Sequence, residues 1–224
     1  MVMPTISVIM AFHNNESTIE KSLKSVLNQS YKNFELLIMD DFSQDDSINL
    51  VKKLNDKRIK LFSNNENLGL TKSLNILSKK SLGKILARQD ADDISHPERF
   101  TKQILYMKKY NLDVCTTRAY RINSKKIIPH FTYYLPPREI IKYKNPFIHG
   151  TLMIKKRIFD EVGGYDEDFL YAQDYKLFVD LIKLNKKIKT IRRPYYYLNT
   201  VNNISQLKKE EQKYYSDIIK KSIK

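Results

Sequence analysis

Phe34-Glu-Leu-Leu-Ile-Met-Asp-Asp41 decides the fold: a short, mainly apolar run, fit for a buried strand, passes directly into two aspartates. Ser43 and Asp46 follow at capping-box spacing and predict that a helix starts there. The same unit occurs upstream, where Ile6 to Phe12 is a second apolar run and Ser17 with Glu20 forms another capping box. Ile19, Leu23, Val26 and Leu27 then share one face of a helix that should end near Gln29. Downstream, Ile59 to Phe62 reads as a third strand and Leu70, Leu74 and Leu77 as a helix after Asn67 and Gly69. Lys84 to Ala87 reads as a fourth strand running into Asp90-Ala-Asp92-Asp93. Strands alternating with helices predict an α/β sheet with helices on both faces.

The second half is less regular. Val114 to Ile122 and Ile127 to Tyr133 flank Asn123-Ser124 as a hairpin, and Pro136-Pro137 breaks the pattern. Thr151 to Ile154 reads as a strand, Arg157 to Val162 as a helix stopped by Gly163-Gly164, and Gln173 to Leu184 as a longer helix. Ile188 to Arg192 is the last strand expected, ending before Pro194. The expected organisation is one domain over 1–204, with halves of about 1–110 and 111–204, then a basic helical tail over 205–224. The tail carries Leu207, Tyr214, Tyr215, Ile218, Ile219 and Ile223 at helical spacing among six lysines.

Composition narrows the function. A chain of 224 residues, 42% hydrophobic, supports one α/β domain. It holds no apolar run of the roughly 20 residues a membrane span needs and no secretory signal at Met1 to Thr5, so a cytoplasmic location is expected, with the tail either packed on its own domain or in peripheral contact with the inner face of the cell membrane. The single cysteine, Cys115, excludes a disulfide framework and sits in an apolar run that implies burial. A net charge of +15 attracts anions. The 40 basic residues are 9 Arg and 31 Lys, whereas nucleic-acid readers favour Arg and recognisable motifs. No nucleic-acid partner is therefore expected; sugar nucleotides and anionic membrane surfaces fit the charge better.

Ligands of open α/β sheets bind beyond the carboxyl ends of the strands. Here those ends deliver Ala11 to Asn14, Asp40-Asp41 and Arg88 to Asp93. Clustered carboxylates repel one another unless a cation or a donor-rich ligand neutralises them. Asp90-Ala-Asp92-Asp93 offers hard oxygen ligands that suit Mn2+ or Mg2+, with positions left free for phosphate oxygens. Asp92, Asp93 and Ser95 could equally cap the helix beginning near Pro97. Neither G-x-x-x-x-G-K-[ST] nor G-x-G-x-x-G is present, and five glycines leave little backbone to wrap a phosphate. A metal is then the expected holder of a diphosphate.

Ser7-Val-Ile-Met-Ala-Phe-His-Asn14, Leu37-Ile-Met-Asp-Asp41 with Ser43 and Asp45-Asp46, Asn67-Leu-Gly69, Ala87-Arg-Gln-Asp-Ala-Asp-Asp93, Gly163-Gly-Tyr-Asp166 and Gln173-Asp174-Tyr175 occur in an order that resembles family 2 glycosyltransferases, from about Thr5 to Tyr197. That family comprises inverting GT-A enzymes, many of them bacterial surface-polysaccharide transferases. The resemblance implies a Rossmann-like GT-A fold with a mixed, mostly parallel sheet. By the same resemblance Asp41 accepts the uracil N3 proton, Ala11 and Phe12 lie against base and ribose, Asn14 and Asn67 join the nucleotide-sugar site, and Asp90 and Asp92 form the metal and ribose motif with Asp92 as metal ligand. Arg88 stands where the family often has a basic residue near the nucleotide; an ion pair with a neighbouring aspartate is the alternative. His149 precedes Gly150 where relatives often show His-Pro, and a contact with the donor diphosphate or the acceptor follows. Asp174 matches the catalytic base, although Gln173 stands where Glu is commoner.

Chemistry supports that assignment. A sugar hydroxyl is a poor nucleophile, and a carboxylate in hydrogen-bond reach can take its proton during attack. From spacing alone Asp174 is also an ordinary helix-start acid. The expected reaction moves a sugar from a uridine diphosphate sugar to a hydroxyl of a glycan or lipid-linked acceptor. A guanosine or thymidine diphosphate donor, a catalytically silent or partner-dependent sugar-nucleotide-binding subunit, and a nucleic-acid-binding protein are the alternatives.

Overall fold

A computed structural model describes residues 3–200 and 207–223, apart from Lys125. The first half alternates as the sequence predicts: β1 (Ile6–Phe12), α1 (Ile19–Leu27), β2 (Phe34–Asp40), α2 (Ser47–Lys53), β3 (Ile59–Ser63), α3 (Leu70–Lys80), β4 (Ile85–Arg88), β5 (Ile94–Ser95) and α4 (Arg99–Lys109). The second half supplies β6 (Val114–Arg121), β7 (Ile127–Ile128), α5 (Pro137–Ile140), β8 (Met153–Lys155), α6 (Lys156–Glu161), α7 (Gln173–Lys183), β9 (Ile188–Leu198) and α8 (Lys209–Ile223). Short 3₁₀ turns lie at Phe131–Tyr134 and His149–Thr151.

The strands form one sheet in the order β3-β2-β1-β4-β8-β6-β9-β5, with β7 beside β6. β1 runs parallel to both β2 and β4, and β3 parallel to β2. β8 is antiparallel to β4 and β6, and β6 is parallel to β9. Most strands therefore point the same way. The chain steps outward from β1 to β3, then returns to β4 on the other side of β1. In open α/β sheets ligands bind beyond the carboxyl ends of the strands at such a reversal, here β1 and β4.

The period of two along each strand builds two cores. Ile9 and Ala11 of β1 and Leu37 and Met39 of β2 face α3, α6, α7 and α8 through Leu74, Leu77, Ile158, Phe159, Leu177, Phe178 and Ile219. Ile6, Val8 and Met10, with Leu36 and Ile38, face α1, α2 and α4 through Ile19, Leu23, Val51, Phe100, Ile104 and Met107. Cys115 is buried in this second core, and burial pushes its thiol up to about 12, so it is inert.

Several local expectations are corrected. Neither capping box forms, because α1 and α2 begin at Ile19 and Ser47 without a side-chain cap. Glu20 instead pairs with Lys24 one turn on, at 2.6 Å, while the Asp45 carboxylate accepts the Ser47 N–H at 3.0 Å. Asp92, Asp93 and Ser95 do not cap α4, since Ile94 and Ser95 pair with Tyr197 and Tyr196 as a strand. The hairpin exists, but its second strand stops at Ile128 because Pro129 has no N–H to continue a ladder. The last strand does not end at Arg192: β9 continues through Pro194, which sits opposite Arg118 at a register shift where no ladder donor is required. The tail, by contrast, is helical as expected, and of its two readings the structure shows the packed one, through buried Ile219 with Tyr215 and Ile223 against the same core. Residues 205, 206 and 224 of that tail lie outside the described residues.

Candidate active site

β1 and β2 deliver a tied pair of loops. Asn14, at φ 54, donates its N–H to Ser43 Oγ at 3.0 Å and accepts the Gln44 N–H at 2.8 Å. His13 Nδ1 meets the Asp41 carbonyl at 2.9 Å, and the Asp41 N–H donates to the Phe12 carbonyl at 2.8 Å. The Asp41 side chain is only 4% exposed. Its Oδ1 accepts the Asn64 amide at 2.7 Å and the Leu68 N–H at 2.9 Å, and its Oδ2 accepts the Gly69 N–H at 2.9 Å. An ionised carboxylate has about four acceptor positions, so roughly one on Oδ2 is left for a ligand. Gly69 adopts φ +82, which lets its N–H serve both Asp41 and the Asn67 side chain, at 3.1 Å from the latter. Asn67 thus reaches Asp41 through a shared amide.

β4 delivers the acidic loop. Arg88 is 1% exposed and pairs with Asp90 Oδ1 at 2.6 Å, while its Nη1 donates to the Gln89 and Ile9 carbonyls. Its Nε is the one buried side-chain polar atom without a partner among the described residues. The ion-pair alternative for Arg88 is what the fold adopts. Burial, then the charge of Asp90, pushes the Asp92 carboxyl up to about 6. Burial, then Asp90 and Asp92, holds Asp93 well above the usual carboxylate range, although it accepts the Asn199 N–H at 2.6 Å and a bond from the Tyr196 hydroxyl. Tyr196 also accepts the Asp90 N–H at 3.2 Å.

Beneath this loop lies a buried cation that sequence reasoning missed. Arg99 donates to the Arg88 carbonyl at 2.6 Å, to Ser95 Oγ at 2.7 Å and to Gln89 Oε1 at 3.0 Å, and its guanidinium lies 5.0 Å from the Tyr196 ring centre. Burial lowers its pKa to about 10, and it stays charged. The signal was available: Arg99 and Gln103 share the helix face of Phe100, Ile104 and Met107. Tyr196 was missed because the last strand was ended at Arg192.

The third cluster comes from the second half. His149 begins a 3₁₀ turn, and its Nε2 lies 2.6 Å from the Tyr165 hydroxyl. Burial, then Arg88, pushes the imidazole down, opposed by Asp174 and Asp90. Gly150 is required here, because a Cβ would come within 2.6 Å of Asp90 Oδ2 and crowd the Tyr196 hydroxyl. Asp174 opens α7, after Ala172 in the left-handed region at φ 56, and its Oδ2 accepts the Asn145 amide at 2.8 Å. Gln173 is buried beside it. Asn145 lies outside every motif the sequence offers, and Tyr165, although inside Gly163-Gly-Tyr-Asp166, has no site role that the sequence alone reveals.

The expected residues therefore gather in three groups along one sheet edge: Ala11, Phe12, Asn14, Asp41 and Asn67; Arg88, Asp90 and Asp92; and His149 with Asp174. Among the described residues no set of three or more His, Cys, Asp or Glu side chains forms a closed metal cage. The donor set nevertheless fits a hard cation held by one or two carboxylates and by a ligand's phosphate oxygens, since Asp92 is a largely buried carboxylate beside a second one.

The mostly parallel sheet and its reversal at β1 define a GT-A-type scaffold. Residues 7–165 match the family model described as Glycosyl transferase family 2, and the chain belongs to that family. It is 34% identical over 171 residues to the putative glycosyltransferase EpsE of Bacillus subtilis, an alignment covering 72% of this chain and 60% of EpsE. It is 32% identical over 183 residues to WfgD of Escherichia coli, named as a UDP-Glc:alpha-D-GlcNAc-diphosphoundecaprenol beta-1,3-glucosyltransferase, covering 80% of this chain and 70% of WfgD. The fold superposes on S. aureus TarS 1-349 in complex with UDP-GlcNAc with a TM-score of 0.77 at 22% identity, over 89% of this chain and 59% of the other. The chain thus spans about 60% of EpsE and of the TarS fragment. Among the described residues no helix is long and apolar enough to cross a membrane.

Proposed function

We propose that this chain transfers a sugar, with inversion, from a uridine diphosphate sugar to a hydroxyl of a glycan or lipid-linked acceptor. Asp174 acts as general base and Asp92 holds Mn2+ or Mg2+. The observation that carries the reading is the 145–150 segment, which holds the Asp174 carboxylate through the Asn145 amide at 2.8 Å and sets Gly150 directly against Asp90 of the acidic loop. The name of WfgD, with its UDP-Glc donor and diphosphoundecaprenol-linked acceptor, points the same way.

Each step falls to a particular group. The open position on Asp41 Oδ2 takes the uracil N3–H, with Ala11 and Phe12 against base and ribose. Asn14 braces the same loop. Asp90, fixed by Arg88 through Oδ1, takes the ribose. Asn145 occupies Asp174 Oδ2 and leaves Oδ1 for the acceptor hydroxyl. As that oxygen bonds to the anomeric carbon, its proton passes to Asp174, and the bond from the anomeric carbon to the diphosphate oxygen breaks with its electron pair leaving on UDP. When bound at Asp92, a divalent ion supplies charge neutralisation for the departing diphosphate. Exposed Lys208, Lys209, Lys213 and Lys221, with exposed Tyr214 and Ile218, give α8 an outward face suited to an anionic lipid surface, where a lipid-linked acceptor resides.

A thermal-shift panel of UDP, GDP and TDP with and without Mn2+ tests the donor reading, because a ligand that binds only the folded state raises its stability. UDP with Mn2+ should give the largest rise. No shift with any nucleotide overturns the reading, and a preference for GDP or TDP moves the base. Burial of Gln173, where an acid is commoner in the family, favours a second reading as a partner-dependent binding subunit. Sugar transfer by the isolated chain to an added diphosphoprenyl-linked acceptor excludes it.

A further inference from the structure

Tyr165 and His149 form a pair that the steps above do not use. Tyr165 cannot move: Asn75 donates to its carbonyl at 2.8 Å and accepts its N–H at 3.0 Å, and its ring packs edge-on against Phe159 and His149 at 5.2 and 5.4 Å between centres. The ring is buried, so its hydroxyl is delivered to one place, His149 Nε2. Burial pushes the phenol far above its ordinary range, and it stays protonated. A buried hydroxyl hydrogen without an acceptor costs roughly 1–3 kcal/mol, and the imidazole nitrogen is the only acceptor the described residues offer it. The phenol therefore donates and Nε2 accepts. In a neutral imidazole the other nitrogen then carries the proton.

That leaves Nδ1–H without a protein partner among the described residues, and Nδ1 is not among the occluded polar atoms. We propose that Tyr165 is a positioning residue that locks His149 in the Nδ1–H tautomer, so that the ring offers a neutral hydrogen bond to the β-phosphate of the donor nucleotide. Burial and the charge of Arg88 keep the ring neutral against the opposing pull of Asp174 and Asp90, and a fixed N–H can then meet the charge that grows on the diphosphate as the sugar leaves. Most phenylalanine-for-tyrosine exchanges at a buried ring preserve packing, so the hydroxyl can be tested apart from the fold. The assignment of the diphosphate as the target rests on the nucleotide-sugar reading, whereas the tautomer does not.

Two measurements on the full chain separate these parts. In a long-range proton–nitrogen correlation spectrum of ¹⁵N-labelled protein at neutral pH, His149 should show a protonated Nδ1 and an unprotonated Nε2, and Tyr165→Phe should yield a mixture of tautomers. A wild-type ring protonated at Nε2 overturns the lock, whatever the variant does. Calorimetric titration with UDP and UMP in Mn2+ then tests the target. His149→Ala should weaken UDP about tenfold, the scale of one hydrogen bond to a charged group, and leave UMP unchanged. Tyr165→Phe should weaken UDP by a smaller factor, with UMP again unchanged. Equal losses for UDP and UMP indicate a structural role and overturn the phosphate contact. Absence of UDP binding by the wild type overturns the nucleotide reading and the diphosphate target together, while the ring spectrum still judges the Tyr165–His149 pair.

Discussion

The two edges of the sheet treat buried carboxylates in opposite ways. At the amino edge, Glu35 is 4% exposed, and burial alone would raise its pKa. Hydrogen bonds from Lys60 at 2.7 Å, Ser7 at 2.5 Å and the Leu82 N–H at 2.7 Å outweigh that cost and hold it below its ordinary value. At the carboxyl edge, Asp92 and Asp93 are raised by burial and by their acidic neighbours, and the protein does not supply enough donors to reverse it. The difference lies in the neighbours: Glu35 has a lysine and two neutral donors around it, whereas Asp92 and Asp93 are more deeply desolvated beside other carboxylates. One edge spends its hydrogen bonds on stability, while the other is left with charge that a cation and a ligand can neutralise.

The comparison breaks most sharply at Asp174, the carboxyl-edge residue assigned to chemistry. Asp174→Asn should lower sugar transfer roughly a hundredfold or more, the usual scale for loss of a general base, with UDP affinity in Mn2+ near wild type. Near-normal transfer would move the base to another acid, and joint loss of UDP binding would make Asp174 structural.

At the amino edge, Glu35→Gln should destabilise the fold by about 2 kcal/mol at neutral pH in urea unfolding, because it leaves Lys60 without its charged partner. A depressed carboxyl contributes stability above its unfolded pKa of 4.5 that is lost as pH falls, so the penalty should shrink in acid. A variant as stable as wild type would remove the contrast between the edges.

Asp92→Asn should do the reverse. A raised carboxyl favours the folded state most while protonated, so the metal-free protein should lose stability as pH climbs from about 4 to about 6. Above that window Asp92→Asn should stabilise the metal-free chain by on the order of 1 kcal/mol, below the full shift because neighbouring charges relax. The same variant should lose most of the thermal shift that UDP gains from Mn2+. Equal shifts for variant and wild type would remove Asp92 as the ligand.

The smallest effect is expected at the tail. Removing 205–224 should weaken flotation with anionic vesicles several-fold at low salt and little at high salt, since exposed lysines are screened. The truncated chain must first be shown to retain its unfolding transition, because Ile219 belongs to the core. Unchanged flotation of a folded truncation would confine α8 to packing.

The sequence by itself determined the alternation of strands and helices, the two-sided burial of β1 and β2, and the acids that follow β2 and β4. These are local matters: a period of two or 3.6 places each side chain, and a polar residue after an apolar run marks the strand end. It also carried the family resemblance, because those motifs are contiguous. Only the tertiary structure decided which of the expected residues share a neighbourhood, since the order β3-β2-β1-β4-β8-β6-β9-β5 brings the segment of His149, with Asp174 held by its Asn145, to the edge that carries Asp90. It decided the extension of β9 past Pro194, where a register shift removes the need for the missing N–H and carries Tyr196 to Asp90. It also decided the pairing of Arg88 with Asp90, the burial of Arg99 beneath them and the delivery of the Tyr165 hydroxyl to His149. Such pairings depend on desolvation and on distances across the sheet, which no spacing along the chain encodes.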